Sequence, residues 1–203
     1  NHDAKSARTD LGGKTNMTGQ NRGPIRSALF VPGNRPDRID KAAGSGADMV
    51  ILDLEDAVPP DLKKEARHIV RDKLVRYHKM DQYRECRIAV RINSLGSGYC
   101  GDDLKTIFFP GLKWIMLPKV ESGEHVQEIH LRLAELERER GIPIGCTCLL
   151  ILIESALGVQ NIFSILSRKT EPARQVMAAF GAADYGLDLG IDITGNGNEL
   201  AYP

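Results

Sequence analysis

Five carboxylates stand in the sequence at or just past the end of an apolar run. They are Asp53, Glu55, Asp56, Glu154 and Asp184. Asp53 follows Met49–Leu52 and Glu154 follows Cys148–Ile153, and both runs suit a buried strand. An unpaired carboxylate is costly to bury, so these acids need a cation, a metal ion or water beside them. The alternative is a solvated strand end with an aspartate that caps the following helix.

Arg91 and Asn93 end another apolar run and lie two residues apart, on one face of a strand. A buried arginine keeps its proton and therefore needs carboxylates or an anionic substrate as partners. Two explanations stay open. Arg91 forms a structural ion pair with Asp53 or Glu55, or it stabilises negative charge on a substrate.

Glu154 and Asp184 come from neighbouring strand ends with no His or Cys nearby, which suits a hard divalent cation. Mg²⁺ binds one or two carboxylates and leaves its other positions to water and substrate oxygens. Helix capping is the competing role for each residue. Together with Arg91, the pair predicts a metal-assisted reaction on an anionic, oxygen-rich substrate.

The composition argues against several other classes of protein. Lys plus Arg and Asp plus Glu both number 27, so the chain lacks the basic excess of a nucleic-acid binder. No apolar run is long enough to span a membrane. The four cysteines lack Cys-x-x-Cys spacing, which fits a reduced cytoplasmic protein. The histidines form no ligand pair and are predicted to lie on the surface.

Six apolar runs alternate with helical segments. The runs are Ser27–Val31, the run from Met49, Cys86–Asn93, Trp114–Val120, Cys148–Glu154 and Gln175–Gly181. Strands that are apolar throughout belong to parallel sheets covered by helices. The helix after the fifth run is predicted over Val159–Leu166.

The polar ends of these runs favour a barrel, whose strands carry functional residues at their carboxyl ends. A doubly wound sheet would need a Gly-rich nucleotide fingerprint, which Pro32–Pro36 lacks. We therefore predict an α/β fold, a (β/α)₈ TIM barrel truncated after about six βα units, over residues 24–203. Residues 1–23 are predicted to be a disordered leader.

Six motifs, in order and with matching spacing, resemble the citrate lyase beta-subunit/malyl-CoA lyase family. This is the CoA-ester lyase branch of the HpcH/HpaI aldolase superfamily. The motifs are Arg26–Gly33, Leu52–Val58, Val90–Asn93, Pro118–Glu121, Ile153–Ala156 and Gly181–Tyr185. The resemblance runs from about Arg26 to the end of the chain.

The resemblance implies a barrel, usually oligomeric, that cleaves or forms a C–C bond in a 3-hydroxyacyl-CoA with Mg²⁺. Glu154 and Asp184 match the family's metal ligands. Arg91 matches the arginine that holds the substrate and stabilises the developing enolate. The implied catalytic set is therefore Arg91, Glu154 and Asp184.

The resemblance also implies contacts around that set. Phe30, Arg35 and Lys41 match positions that contact the CoA thioester, and Ala183 supplies a backbone contact to substrate beside Asp184. Glu55 and Asp56 match an acidic pair that supports the metal's waters. The family uses a further aspartate near its C-terminus as acid/base, reaching into a neighbouring subunit, and no residue of the printed sequence matches it.

Several functional readings stay open at this point. The substrate is citramalyl-, malyl- or citryl-CoA, or the corresponding thioester on an acyl carrier protein, and the products are acetyl-CoA and an oxo-acid. A class II aldolase acting on free hydroxy-oxo acids would not need Arg35 and Lys41. A non-catalytic fragment or paralogue that only binds CoA thioesters is the third reading.

Overall fold

The computed structural model describes residues 24–80, 87–192 and 194–200, in which strands alternate with helices. The strands are β1 (Ala28–Pro32), β2 (Met49–Asp53), β3 (Arg87–Arg91), β4 (Trp114–Leu117), β5 (Cys148–Ile153) and β6 (Val176–Phe180). The helices are α1 (Pro36–Ala43), α2 (Lys63–His78), α3 (Cys100–Ile107), α4 (Gly123–Glu139), α5 (Ala156–Gln160), α6 (Ile162–Ser167) and α7 (Ala182–Leu189). The predicted leader at residues 1–23, and Cys86, lie outside the described residues.

All six strands are parallel and stand in the sheet in the order in which they occur in the chain. A doubly wound sheet would reverse its strand order at a switch point, and these strands show no reversal. β1 and β6 form the two edges of this open sheet. The structure therefore confirms an α/β fold with six βα units arranged as in a TIM barrel, without closure of the sheet among the described residues.

Alternate residues of each strand point to opposite sides of the sheet and build two apolar layers. Val50 and Leu52 face outward, in the large core cluster that includes the helices. Met49 and Ile51 face inward, in a smaller cluster with Ala89, Met116 and Leu150. Because the period is two, Asp53, Arg91 and Glu154 continue the inward-facing rows of their strands. Strand alternation thus aims these three side chains to one side of the sheet.

The segment after β5 forms two helices, so the prediction of one helix over Val159–Leu166 is wrong. The break falls at Asn161, between α5 and α6. The Asn161 side-chain amide donates to the Glu121 carbonyl oxygen at 2.9 Å, after β4. Asparagine commonly leaves helical geometry to make such bonds, because its short side chain competes with the helix for backbone groups.

His130 corrects the prediction that the histidines lie on the surface. It is 1% exposed on α4, and its Nδ1 accepts from Nε of Arg174 at 3.3 Å. Arg174 and Glu137 are themselves fully buried and form a double ion pair, with N–O distances of 2.9 and 2.7 Å. Helical periodicity could not reveal this cluster, because its members become neighbours only when α4 packs beside the chain that leads into β6.

None of the described helices combines the length and the apolar character that crossing a bilayer requires.

Candidate active site

The candidate site lies at the carboxyl edge of the sheet, where the residues predicted from sequence come together. Its contributions are Phe30 from β1, Asp53–Asp56 from β2, Arg91 from β3, Lys119 after β4, Glu154 after β5 and Gly181–Asp184 after β6. Parallel strands present all their carboxyl ends at one edge, so residues far apart in sequence become neighbours there.

Arg91 forms a two-pronged ion pair with Asp53. Its Nε lies 2.7 Å from Oδ1 and its Nη2 lies 2.6 Å from Oδ2. Asp53 also accepts hydrogen bonds from the backbone N–H groups of Glu55 and Ala57, at 2.8 and 3.1 Å. These four bonds occupy both oxygens of a carboxylate that is 1% exposed. Asp53 is therefore the structural partner of Arg91, as one of the two explanations proposed.

Arg91 has further contacts, and further N–H donors, besides its ion pair with Asp53. Besides its bonds to Asp53, Nη1 lies 3.1 Å from Oε2 of Glu55, within ion-pair distance. Of the five N–H donors of a guanidinium, two bond to Asp53, one faces Glu55 and two are left. The guanidinium carbon lies 5.1 Å from the ring centre of Phe30, a cation–π contact that fixes its plane. Burial alone would lower the pKa of Arg91, but Asp53, Glu55 and the nearby acids outweigh it and raise that pKa. Arg91 is a fixed cation with spare donors.

Glu154 is buried and only half satisfied. It is 3% exposed, and its Oε1 accepts the backbone N–H of Lys119 at 2.8 Å. Its Oε2 is buried with no hydrogen-bond partner of good geometry. Burial and the adjacent Asp184 carboxylate raise the pKa of Glu154 to about 7. A cation beside Glu154 would favour its charged form.

The capping roles that competed for these two acids are not observed. Ser155 caps α5, since its hydroxyl accepts the backbone N–H of Gly158 at 3.1 Å. Asp184 lies within the first turn of α7, and Gly181 occupies the N-cap position without a side-chain hydrogen bond. Neither Glu154 nor Asp184 is the N-cap of the helix that follows it, so both carboxylates are available to a ligand.

Gly181 leaves the space in which the Glu154 carboxylate sits. A Cβ atom at residue 181 would lie 2.7 Å from Cβ and 2.8 Å from Oε2 of Glu154. The backbone at Gly181 therefore closely approaches a side chain of the site itself.

Lys119 belongs to the strand-end motif Pro118–Glu121, but no role in the site was predicted for it from sequence. Its Nζ lies 2.9 Å from Oε1 of Glu55 and 3.8 Å from Oδ1 of Asp56. Burial lowers the pKa of Lys119, but its bond to Glu55 and the surrounding carboxylates raise it overall. Its position in the sequence could have indicated such a role, because it lies just past an apolar strand and the other strand ends carry carboxylates.

A cavity of about 440 Å³ opens beside Glu55 and Asp56. Its walls are the Glu55–Pro60 segment, Lys63, residues from Asn93 to Tyr99, and Lys119. Asn93 has a structural role in this wall, because its amide donates to the Leu54 carbonyl at 2.9 Å and to Asp103 at 2.7 Å.

The remaining predicted positions lie around the rim. Arg35 is exposed at the start of α1 and pairs loosely with Asp37, at 3.6 Å. Lys41 is exposed in the last turn of α1. Ala183 is exposed in the first turn of α7, next to Asp184. Phe30, which is 45% exposed, joins the site through Arg91.

A parallel sheet in chain order, with carboxylates and an arginine at its carboxyl edge, has the architecture of a (β/α)₈ barrel with its site at the usual edge. The chain belongs to the HpcH/HpaI aldolase/citrate lyase family, whose model matches residues 26–203.

Curated relatives support the CoA-ester lyase branch of this family. The citrate lyase subunit beta of Leuconostoc mesenteroides subsp. cremoris is 36% identical over 177 residues, which cover 87% of this chain and 56% of that protein. The L-malyl-CoA/beta-methylmalyl-CoA lyase of Cereibacter sphaeroides is 34% identical over 179 residues, covering 86% and 53% respectively. The chain thus spans little more than half the length of these relatives.

A solved structure shows the same architecture. Protein CitE of Mycobacterium tuberculosis, in complex with magnesium, acetoacetate and coenzyme A, superposes with a TM-score of 0.60 at 30% identity. The match covers 86% of this chain and 57% of that one.

Proposed function

We propose that this chain carries the Mg²⁺ site of a CoA-ester lyase. The reaction cleaves a 3-hydroxyacyl-CoA of the citramalyl-, malyl- or citryl-CoA type into acetyl-CoA and an oxo-acid. The observation that carries the proposal is the Glu154–Asp184 pair, with one buried oxygen left without a partner. The relatives support it, since their names include citrate lyase and malyl-CoA lyase and one binds magnesium and coenzyme A.

The donor set fits magnesium. Glu154 and Asp184 are hard oxygen ligands, and Oε2 of Glu154 is desolvated without compensation. Mg²⁺ commonly takes one or two carboxylates and keeps the rest of its octahedron for water and substrate oxygens. When bound, Mg²⁺ would act as a Lewis acid and template for the hydroxyl and carboxylate oxygens of the departing oxo-acid.

Arg91 supplies the complementary charge. In the cleavage, the 3-hydroxyl loses its proton and its oxygen forms the carbonyl of the oxo-acid. The electron pair of the broken C–C bond passes to the acetyl-CoA enolate, which then takes up a proton. The two spare N–H donors of Arg91 would stabilise that enolate at the thioester oxygen. Asp53 and Phe30 hold the guanidinium in place, so it needs no reorganisation as charge develops.

Glu55 and Asp56 are assigned a supporting role. Glu55 is 5% exposed and Asp56 is exposed, and they face the Lys119 ammonium from adjacent positions. We infer that they hold metal-bound waters, as the family resemblance implies. A homo-oligomeric state, a cytoplasmic location and an acyl carrier thioester as substrate likewise remain predictions.

The proposal is tested by incubating the full-length protein with Mg²⁺ and each of citramalyl-, malyl- and citryl-CoA, and measuring released acetyl-CoA. We expect cleavage of at least one thioester, abolished by a chelator. Cleavage of none of the three refutes the proposed activity.

A Glu154→Gln variant tests the metal site separately. It keeps the size of the side chain but removes its charge, so calorimetry should show weaker Mg²⁺ binding. Glu128→Gln, on the exposed face of α4, is the matched control and should bind as wild type. Unaltered affinity in the Glu154 variant would remove that residue from the site.

A further inference from the structure

Lys119 holds a backbone conformation that lysine rarely adopts. Its φ is 56°, and no other non-glycine residue in the described ranges has a positive φ. The left-handed region crowds Cβ against the backbone, so it persists only where the surrounding contacts enforce it. Strained residues of this kind cluster at functional sites, and the contacts of Lys119 show why this one is retained.

The main chain of Lys119 orients Glu154. Its N–H donates to Oε1 of Glu154 at 2.8 Å. This bond engages one carboxylate oxygen and leaves the other, Oε2, without a partner. A right-handed or extended conformation would rotate the peptide plane that carries this N–H relative to the chain that follows, because φ of Lys119 is the torsion about its N–Cα bond.

The side chain of Lys119 faces Glu55 and Asp56. Nζ lies 2.9 Å from Oε1 of Glu55, and Arg91 approaches the other oxygen of that carboxylate at 3.1 Å. Glu55 is thus held between two cations. The ammonium is about half exposed, 49%, and lines the cavity beside the site.

We propose that Lys119 is a positioning residue of the site, whose main chain fixes Glu154 and whose ammonium fixes Glu55. This inference rests on the proposed function, since it names what holds that function's carboxylates in place. The two contacts come from different parts of one residue, so substitutions can separate them.

The main-chain contact is tested by comparing Lys119→Gly with Lys119→Val. Both lack the ammonium, but glycine adopts the left-handed conformation freely, whereas a β-branched residue is strongly disfavoured there. We expect Lys119→Gly to bind Mg²⁺ at least as tightly as wild type in calorimetry. Lys119→Val should bind about tenfold more weakly or worse, because Glu154 loses its orienting bond. Equal affinities of the two variants would overturn the main-chain role.

The ammonium is tested by comparing Lys119→Gly with Lys119→Arg. Loss of the charge should lower kcat by about 10- to 100-fold with little change in KM, because the close contact of Nζ is with Oε1 of Glu55, a supporting carboxylate. Arginine should restore much of the lost kcat. Wild-type kcat in Lys119→Gly would overturn this role. Lys169→Gly, in an exposed loop, is the control and should match wild type in both measurements.

Crystal structures of the glycine and valine variants test the role of Lys119 without relying on Mg²⁺ binding or activity. If wild type neither binds Mg²⁺ nor cleaves a thioester, the proposed function fails. The distance from the residue 119 nitrogen to Oε1 of Glu154 still reports on Lys119. It should stay near the wild-type value in Lys119→Gly and lengthen beyond hydrogen-bonding range in Lys119→Val, and an unchanged bond in the valine variant refutes the inference.

Discussion

Replacing Gly181 by alanine would push directly on the carboxylate that is proposed to bind the metal. The new Cβ atom would lie 2.7 Å from Cβ of Glu154 and 2.8 Å from its Oε2. Carbon atoms in good contact stand at least about 3.5 Å apart, so one of the two groups must move by about 0.8 Å. Glu154 lies just past β5, which is paired with a strand on each side, so the strain falls on its side chain and on the N-terminus of α7.

The size of the effect follows from the tolerance of the metal. Mg²⁺ requires near-ideal octahedral geometry with oxygen distances of about 2.0–2.1 Å. A displacement of about 0.8 Å should weaken Mg²⁺ binding by tenfold or more. A misplacement of about 1 Å can cost on the order of 100-fold in rate. Overpacking should also lower the free energy of unfolding by about 1–3 kcal/mol.

Calorimetry with Mg²⁺, thioester cleavage and thermal unfolding of the full chain measure these three effects. Gly101→Ala is the matched control. It lies in the first turn of α3, and a Cβ atom there would meet no heavy atom within 4 Å apart from its chain neighbours and the backbone of its own helix. It should leave Mg²⁺ affinity unchanged and raise stability by up to about 1 kcal/mol. If Gly181→Ala behaves like this control, the packing of Glu154 against residue 181 is wrong.

Three further predictions concern the ion pairs and the rim. Glu137→Gln should lower the free energy of unfolding by about 3–5 kcal/mol at pH 7, because it leaves the buried charge of Arg174 unpaired; replacing both residues by apolar ones should cost less, and urea titration of the variants checks this. Burial raises the pKa of Glu137, but the bonds from Arg174 and two backbone N–H groups outweigh it and lower that pKa. The stabilisation is therefore present above the unfolded pKa of about 4.3 and is lost as pH falls through the lower folded value. The stability gap between wild type and Glu137→Gln should shrink below about pH 4, and a constant gap would contradict this. Arg91→Lys should lower kcat by about 100-fold or more, since an ammonium cannot keep the fork to Asp53 and also donate to an enolate oxygen; steady-state kinetics with wild-type values would exclude Arg91 from the chemistry. Replacing Arg35 and Lys41 together by alanine should raise KM for CoA thioesters, and an unchanged KM would favour an aldolase of free hydroxy-oxo acids.

Most of the fold was predictable because strand burial leaves a local signal. β2 and β5 are buried along their whole length, and both are continuous apolar runs in the sequence. Pro36 marks the start of α1, and Gly141, just past α4, has a φ of 66°. The break at Asn161 was missed, because it depends on a hydrogen bond to the Glu121 carbonyl across the fold.

The acidic residues after β2 show where sequence reasoning stopped. Their carboxylates and spacing are visible in the chain, and pairing of Asp53 with a strand-end cation was one of the explanations left open. That Asp53 uses both oxygens on Arg91 and on backbone N–H groups is a matter of three-dimensional geometry. Glu55 is also buried, but its two oxygens face the cations of Arg91 and Lys119. Oε2 of Glu154 is buried with no hydrogen-bond partner.

The sequence by itself determined the parallel α/β architecture and the placement of charged groups at strand ends, because both follow from local periodicity. Tertiary structure decided which charges meet. It set Arg91 between Asp53, Glu55 and Phe30, and it turned Lys119 into the left-handed conformation that joins Glu154 to Glu55. Such choices depend on distances between strands that the chain order alone does not fix, and on desolvation that arises only when the sheet packs.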